Sequence, residues 1–144
     1  MNAKLAAMIT ASPHYRQLRV IILNGITLGG FNVVDLQELY RQTQLPVIAA
    51  TQKKPNLAEV KEALTHLPNA EERWRMVLNA GEIFPVDAGR GKQRIFIEVA
   101  GVSVELAQQI LSVTSTRSNI PEALRVAHLI ASGLTGCRNH ICGL

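Results

Sequence analysis

The sequence predicts an α/β fold, a three-layer arrangement in which a parallel or mixed sheet is flanked by helices. Three observations predict it. Residues 20–23 and 46–50 are continuous aliphatic runs of strand length, the composition of strands covered on both faces. Between them Val34, Leu36, Leu39 and Tyr40 fall at helical spacing, with Asn32 placed to cap the helix, so the unit reads as strand, loop, helix, parallel strand. Further amphipathic helical stretches then follow, most of them opened by a capping residue. The crossover puts the loop GITLGG at the carboxyl end of the first strand, where open α/β sheets bind ligands.

Composition sets the frame for these elements. With 144 residues, 47% of them hydrophobic, the chain has enough apolar side chain for one domain with a real core, and residues 1–144 read as a single domain. The net charge of +4 is compatible with a polyanionic partner and too small to establish one. No apolar run is long enough to span a bilayer, and the N-terminus lacks the apolar core and cleavage site of a secretory signal. The expectation is a soluble, cytoplasmic protein with no membrane partner. The two cysteines, Cys137 and Cys142, form no disulfide framework, which fits a reducing compartment.

In chain order, Leu5, Met8 and Ile9 mark a first helix within residues 3–12, stopped by Pro13. Tyr15, Arg16 and Arg19 follow in a polar connection that reads as solvated rather than phosphate-binding. After the second strand, Asn56 and Glu59 have capping-box spacing ahead of an apolar face of Leu57, Val60, Leu64 and Leu67. Asn69 can cap the next helix, with Glu71 and Glu72 in its first turn and Gly81 at its end. Trp74 within it reads as core packing, with base stacking the alternative. Residues 85–94 read as a turn-rich loop carrying Arg90, Lys92 and Arg94, and residues 95–101 as a third strand with Glu98 opposite in facing to Ile97. Glu98 reads as an exposed edge residue, a metal carboxylate being the alternative. Ser103 caps a helix whose inner face holds Val104, Ala107, Ile110, Leu111 and Thr114.

Pro121 opens the last helix. Its apolar residues are Leu124, Ala127, Leu129, Ile130 and Leu134, and Glu122, Arg125, His128 and Ser132 form a polar line at spacings of three and four. That line is expected to be the solvated side of the helix; the alternative points a histidine and an arginine into the cleft of the GITLGG loop. At the C-terminus Cys137, His140 and Cys142 offer three zinc-type ligands without a fourth, and a loosely docked tail is the expectation.

Walker, nucleophile-elbow and dinucleotide fingerprints are absent. Gly25, Gly29 and Gly30 permit tight turns, and amides ahead of the first crossover helix could cradle a phosphate, with Thr27 and Asn32 in the same loop. Asp35 reads first as reinforcement of the helix start; metal binding would need a second carboxylate nearby.

The strings QLRVIILNGITLGGFNVVDL, LPVIAATQKKP, VAGVSVELAQQIL and NIPEALRVAHLIASGL, in this order, resemble the mainly archaeal endonuclease dU family. The resemblance covers nearly the whole chain. It implies a ribonuclease-H-like core distantly similar to endonuclease V, a metal-dependent nuclease acting at deaminated bases. By that analogy Asn24 stands where endonuclease V carries an active-site aspartate, Asp35 is the remaining acid near the loop, and His128 matches a late active-site histidine. The resemblance further implies opening strands, one with an aspartate, ahead of the helix at residue 3. The chain is therefore expected to be N-terminally shortened, with a partial core, a bare apolar sheet edge and possible homodimerisation.

Three functions follow as expectations. The first is a divergent magnesium-dependent nuclease acting in DNA repair at deaminated bases, inactive as given unless the missing acids are supplied. Asp35 would be metal ligand and catalytic residue, His128 catalytic, Arg125 a phosphate contact, and Gly25, Thr27, Gly29, Gly30 and Asn32 a phosphate or substrate cradle. The second is a non-catalytic nucleic-acid or protein-binding module. The third is a nucleotide-binding protein using the same loop.

Overall fold

The computed structural model describes residues 1–29, 32–88, 93–116 and 120–135. Helix α1 (Asn2–Thr10) and a short 3-10 turn (Tyr15–Gln17) lead into β1 (Ile21–Asn24). A small hairpin of β2 (Thr27–Leu28) and β3 (Asn32–Val33) follows, then α2 (Leu36–Thr43) and β4 (Val47–Thr51). Helices α3 (Leu57–Thr65) and α4 (Ala70–Asn79), the strand pair β5 (Phe84–Ala88) and β6 (Gln93–Ala100), and helices α5 (Val104–Thr114) and α6 (Glu122–Thr135) complete the order.

The main sheet has four strands in the order β1-β4-β6-β5 and is mixed. β1 and β4 run parallel, with Leu23 opposite Ala49 and Asn24 opposite Ala50; β6 is antiparallel to both β4 and β5. Strand alternation then divides the side chains into two layers. On one face Leu23, Val47, Ala49 and Ala100 pack with Leu36 and Leu39 of α2 and Ala6 of α1. On the other, Ile48, Ala50, Val86, Ile95 and Ile97 pack with Ala107 and Leu111 of α5. The result is the expected helix–sheet–helix arrangement, with the inner faces of α2 and α5 placed as their spacing predicts. A third cluster joins the hairpin to α3 and α4 through Val33, Leu64 and Val77, with Trp74 packed against it. Trp74 thus serves packing, and Lys61 Nζ lies 5.5 Å from its ring centre.

Local chemistry explains most boundaries. Ser103 Oγ accepts the Leu106 amide at 3.2 Å and starts α5; Asn56 Oδ1 accepts the Ala58 amide at 3.1 Å and starts α3, while its Nδ2 donates to Glu59 Oε1. Four expectations are corrected. The cap of α2 is Asp35, whose Oδ1 accepts the Glu38 amide at 3.0 Å, whereas Asn32 lies in β3 and donates its side-chain amide to Gly29 O. Residues 84–88 form β5 rather than loop, because Val86 and Ala88 alternate inward against β6; Pro85 is tolerated since β5 is an edge strand. Glu98 is not at an exposed edge: β6 lies between β4 and β5, and Glu98 is only 5% exposed.

The fourth correction concerns α6. Its polar line of Glu122, Arg125, His128 and Ser132 is half-buried, whereas Val126, Leu129, Ile130 and Leu134 are exposed. The helix lies against β1 at the sheet edge and turns its polar side, not its apolar side, away from solvent. Helical spacing identifies the two stripes but carries no information about which of them meets the sheet.

Candidate functional site

The chain reverses direction at the carboxyl end of β1, and the hairpin, the end of β4 and the start of α3 enclose a cleft there. Its volume is about 470 Å³, within the range of small-ligand sites. Asn24, Gly25, Ile26 and Thr27 line one wall, residues 51–57 the other, and Val60 and Val77 add apolar surface from α3 and α4. Gly25 has φ +73°, and a Cβ there would come 3.1 Å from Thr51 Cγ2, so the turn and its approach to β4 both require glycine.

Two kinds of charge meet in this cleft. Lys53 and Lys54 are exposed on the loop after β4, next to the N-terminus of α3, where the helix dipole adds positive potential. Glu98 lines the cleft from the central strand, on the face it shares with Ala49. It is buried without a hydrogen bond or ion pair among the described residues, and burial raises its pKa to about 7. Glu59, the other acid bordering the cleft, is exposed and accepts from Asn56.

The residues singled out by sequence fall in separate places. Gly25 and Thr27 line the cleft, but the Gly25 amide donates to Ala50 O at 3.1 Å and Thr27 pairs with Val33 in the hairpin. Gly29 lies at the exposed end of β2, Asn32 faces a second, smaller hollow, and Gly30 lies outside the described residues. Asp35 is not among the residues lining the cleft. Its Oδ1 caps α2, its Oδ2 accepts from Asn79 Nδ2 at 2.8 Å, and its backbone exchanges two hydrogen bonds with the Asn2 side chain. His128 and Arg125 ride on α6 and are not among the cleft residues. Arg125 makes a two-pronged contact with Glu122, Nε to Oε2 at 3.0 Å and Nη2 to Oε1 at 2.5 Å, and the hydrogen bonds and charge of Glu122 raise its pKa further. Cys137, His140, Cys142, Arg90 and Lys92 also lie outside the described residues.

Magnesium needs several oxygen ligands held together. Among the described residues no three acidic, histidine or cysteine side chains are grouped to hold an ion, and both Asp35 oxygens are already engaged. The described residues therefore do not fit the metal that the resemblance implies. No helix among the described residues is long and apolar enough to cross a membrane.

Fold and cleft together define a mixed α/β domain with a cleft at the carboxyl ends of its parallel strands. The chain belongs to the endonuclease dU family, whose sequence profile matches residues 1–135. It is 49% identical over 131 residues to a UPF0215 protein of Methanosarcina mazei, covering 91% of this chain and 67% of that protein. A UPF0215 protein of Methanopyrus kandleri is 42% identical over 132 residues, covering 92% and 67%. The chain thus spans about two thirds of the length of these relatives. A crystal structure of a protein of unknown function from Archaeoglobus fulgidus superposes with a TM-score of 0.84 at 38% identity, covering 92% of this chain and 73% of that one. The archaeal family expected from the quoted strings is therefore the family to which the chain belongs.

Sequence reasoning missed Lys53 and Lys54 as site residues and weighed Glu98 only as an exposed edge residue or a metal carboxylate. A signal for each was available. A lone carboxylate inside the nearly continuous apolar run IFIEVA marks a strand covered on both faces, and KK directly follows the second parallel strand, where ligands bind.

Proposed function

We propose that this chain is nuclease-like and binds a nucleic-acid strand bearing a deaminated base, with the base entering the cleft and the phosphates at the Lys53–Lys54 lip. The observation that carries this reading is the juxtaposition of two exposed lysines, a helix N-terminus and an apolar-walled cavity at one end of the parallel strands. Family membership supports the nuclease class; hydrolysis with magnesium, and the roles of Asp35, His128 and Arg125 in it, are proposed only on condition that further acids are supplied, since the described residues do not by themselves hold the ion. Cleavage of uracil- or hypoxanthine-containing DNA, compared with and without magnesium, tests it in the wild type, Asp35→Asn and His128→Ala. Magnesium-dependent cleavage lost in both variants supports the catalytic assignment. Salt-sensitive binding without cleavage, weakened when Lys53 and Lys54 are both changed to Ala, selects the binding module instead.

We also propose that two copies associate through the sheet edge. β1 is an edge strand, and beside it α6 exposes Val126, Leu129, Ile130 and Leu134.

A further inference from the structure

The cleft contains one group whose local structure gives it nothing to do. Glu98 is 5% exposed, yet it neither caps a helix nor pairs with a cation, and it makes no hydrogen bond among the described residues. Its neighbours across the sheet and along the strand on the same face are Ala49, Phe96 and Ala100, none of which offers a side-chain polar partner. The Glu98 oxygens open to the cleft rather than being sealed off, since Ser115 Oγ is the one fully buried side-chain polar atom without a partner among the described residues. A mostly desolvated carboxyl with no protein partner is still costly, and native structures rarely keep one without a ligand, water or chemical role. Asp35 shows the contrast, with both oxygens engaged by the protein itself.

Resting on the nucleic-acid reading above, we propose that Glu98 is the base-contacting residue of the cleft: its carboxyl, as the neutral acid, hydrogen-bonds a nucleobase edge that offers a donor beside an acceptor, while the nucleotide's phosphate lies at Lys53 and Lys54. A carboxylic acid presents one donor and one acceptor side by side, which matches such an edge, whereas a carboxylate only accepts. Ile26, Leu57, Val60 and Val77 supply apolar surface for the faces of a planar ring, and Asn24, Thr27 and Thr51 supply neutral polar groups around it. The charged side chains bordering the cleft are Lys53, Lys54 and Glu59, all exposed to solvent. The burial that raises the carboxyl's pKa to about 7 keeps the acid form populated in slightly acidic solution. The same chemistry serves a free nucleotide and a nucleotide within a strand.

The test measures binding of deoxyuridine monophosphate and of a single-stranded oligonucleotide containing one deoxyuridine, between pH 6 and pH 8, to the wild type, Glu98→Gln and Glu98→Ala. Wild-type affinity is expected to fall by about tenfold over that interval as the acid form is lost. Glutamine keeps a donor and an acceptor at every pH, so Glu98→Gln binds with no such slope. Glu98→Ala binds about tenfold more weakly at pH 6. An oligonucleotide with an abasic site in place of deoxyuridine removes the slope in the unaltered protein, independently of whether any variant folds. The assignment is overturned when Glu98→Gln keeps the wild-type slope or Glu98→Ala binds as well as the wild type at pH 6. The expected pattern with the monophosphate alone upholds Glu98 and overturns the strand as its source. Absence of binding to both ligands overturns this inference and the nucleic-acid reading together.

Discussion

Two carboxylates near the first crossover have opposite relations to the protein around them. Asp35, beside the hairpin and conspicuous in sequence, is used up by structure: it caps α2, holds Asn79 of α4 and anchors Asn2 of α1. Glu98, inconspicuous in sequence, is buried in β6 with no partner among the described residues and opens onto the cleft at the end of the parallel strands. An acid whose two oxygens are both engaged by helices of the protein is positioned to stabilise; an acid without a protein partner in a cavity is positioned to meet something else. Proximity to a loop of glycines thus says less about chemistry than the state of each oxygen.

The largest expected effect is the dependence of folding on the charge of Glu98. Its folded pKa is raised from 4.5 to about 7, so between these values the native state holds a proton that the unfolded state has released. Stability from this group is complete below pH 4.5, falls as the pH rises through about 7, and is constant above. A shift of this size corresponds to about 3 kcal/mol in full, of which about 2–3 kcal/mol is expressed between pH 5 and pH 8. Urea denaturation of the wild type and Glu98→Gln at pH 5 and pH 8 isolates it, since other carboxyls are common to both proteins. The difference between the two proteins should move by that amount in favour of the variant at pH 8. An unchanged difference would show that Glu98 has a partner or ready access to water.

The Asp35 side of the comparison should respond in a different way. Asp35→Ala removes the α2 cap and the Asn79 contact and should cost about 1–2 kcal/mol. Asp35→Asn keeps a good capping residue and should stay within about 0.5 kcal/mol of the wild type. Magnesium-dependent cleavage measured alongside stability gives the pair its value. A metal ligand loses function in Asp35→Asn at unchanged stability, whereas a cap loses neither. Equal stability of the wild type and Asp35→Ala would contradict the structural role described here.

The same contrast explains what could be read from sequence. Caps such as Ser103 and Asn56 and the inner faces of α2 and α5 are local features, determined by residues within one or two turns, and they are legible. The burial of Glu98 depends on β6 lying between β4 and β5, which follows from pairing across the whole domain. β5 was hidden because Pro85 and Asp87 read as turn residues, and they are tolerated only because β5 forms the sheet edge. Of the site, the position of the cleft at the end of β1 was legible from topology, whereas the groups that give it chemistry come from β6 and from the loop after β4.

The smallest expected effect on folding lies in α6, where the comparison extends from single acids to two stripes of one helix. Leu129 and Ile130 are 55% and 58% exposed, so changing both to Lys removes little buried surface and should alter monomer stability by no more than about 0.5 kcal/mol. Association should change much more if a second copy covers this stripe and the β1 edge. Light scattering over a concentration series then reads a dimer for the wild type and a monomer for the double variant. A wild type that stays monomeric throughout that range removes the homodimer proposal. A double variant that is dimeric and equally stable places the contact on the edge of β1 alone, where main-chain hydrogen bonds, which side-chain substitutions on α6 leave intact, would hold the copies together.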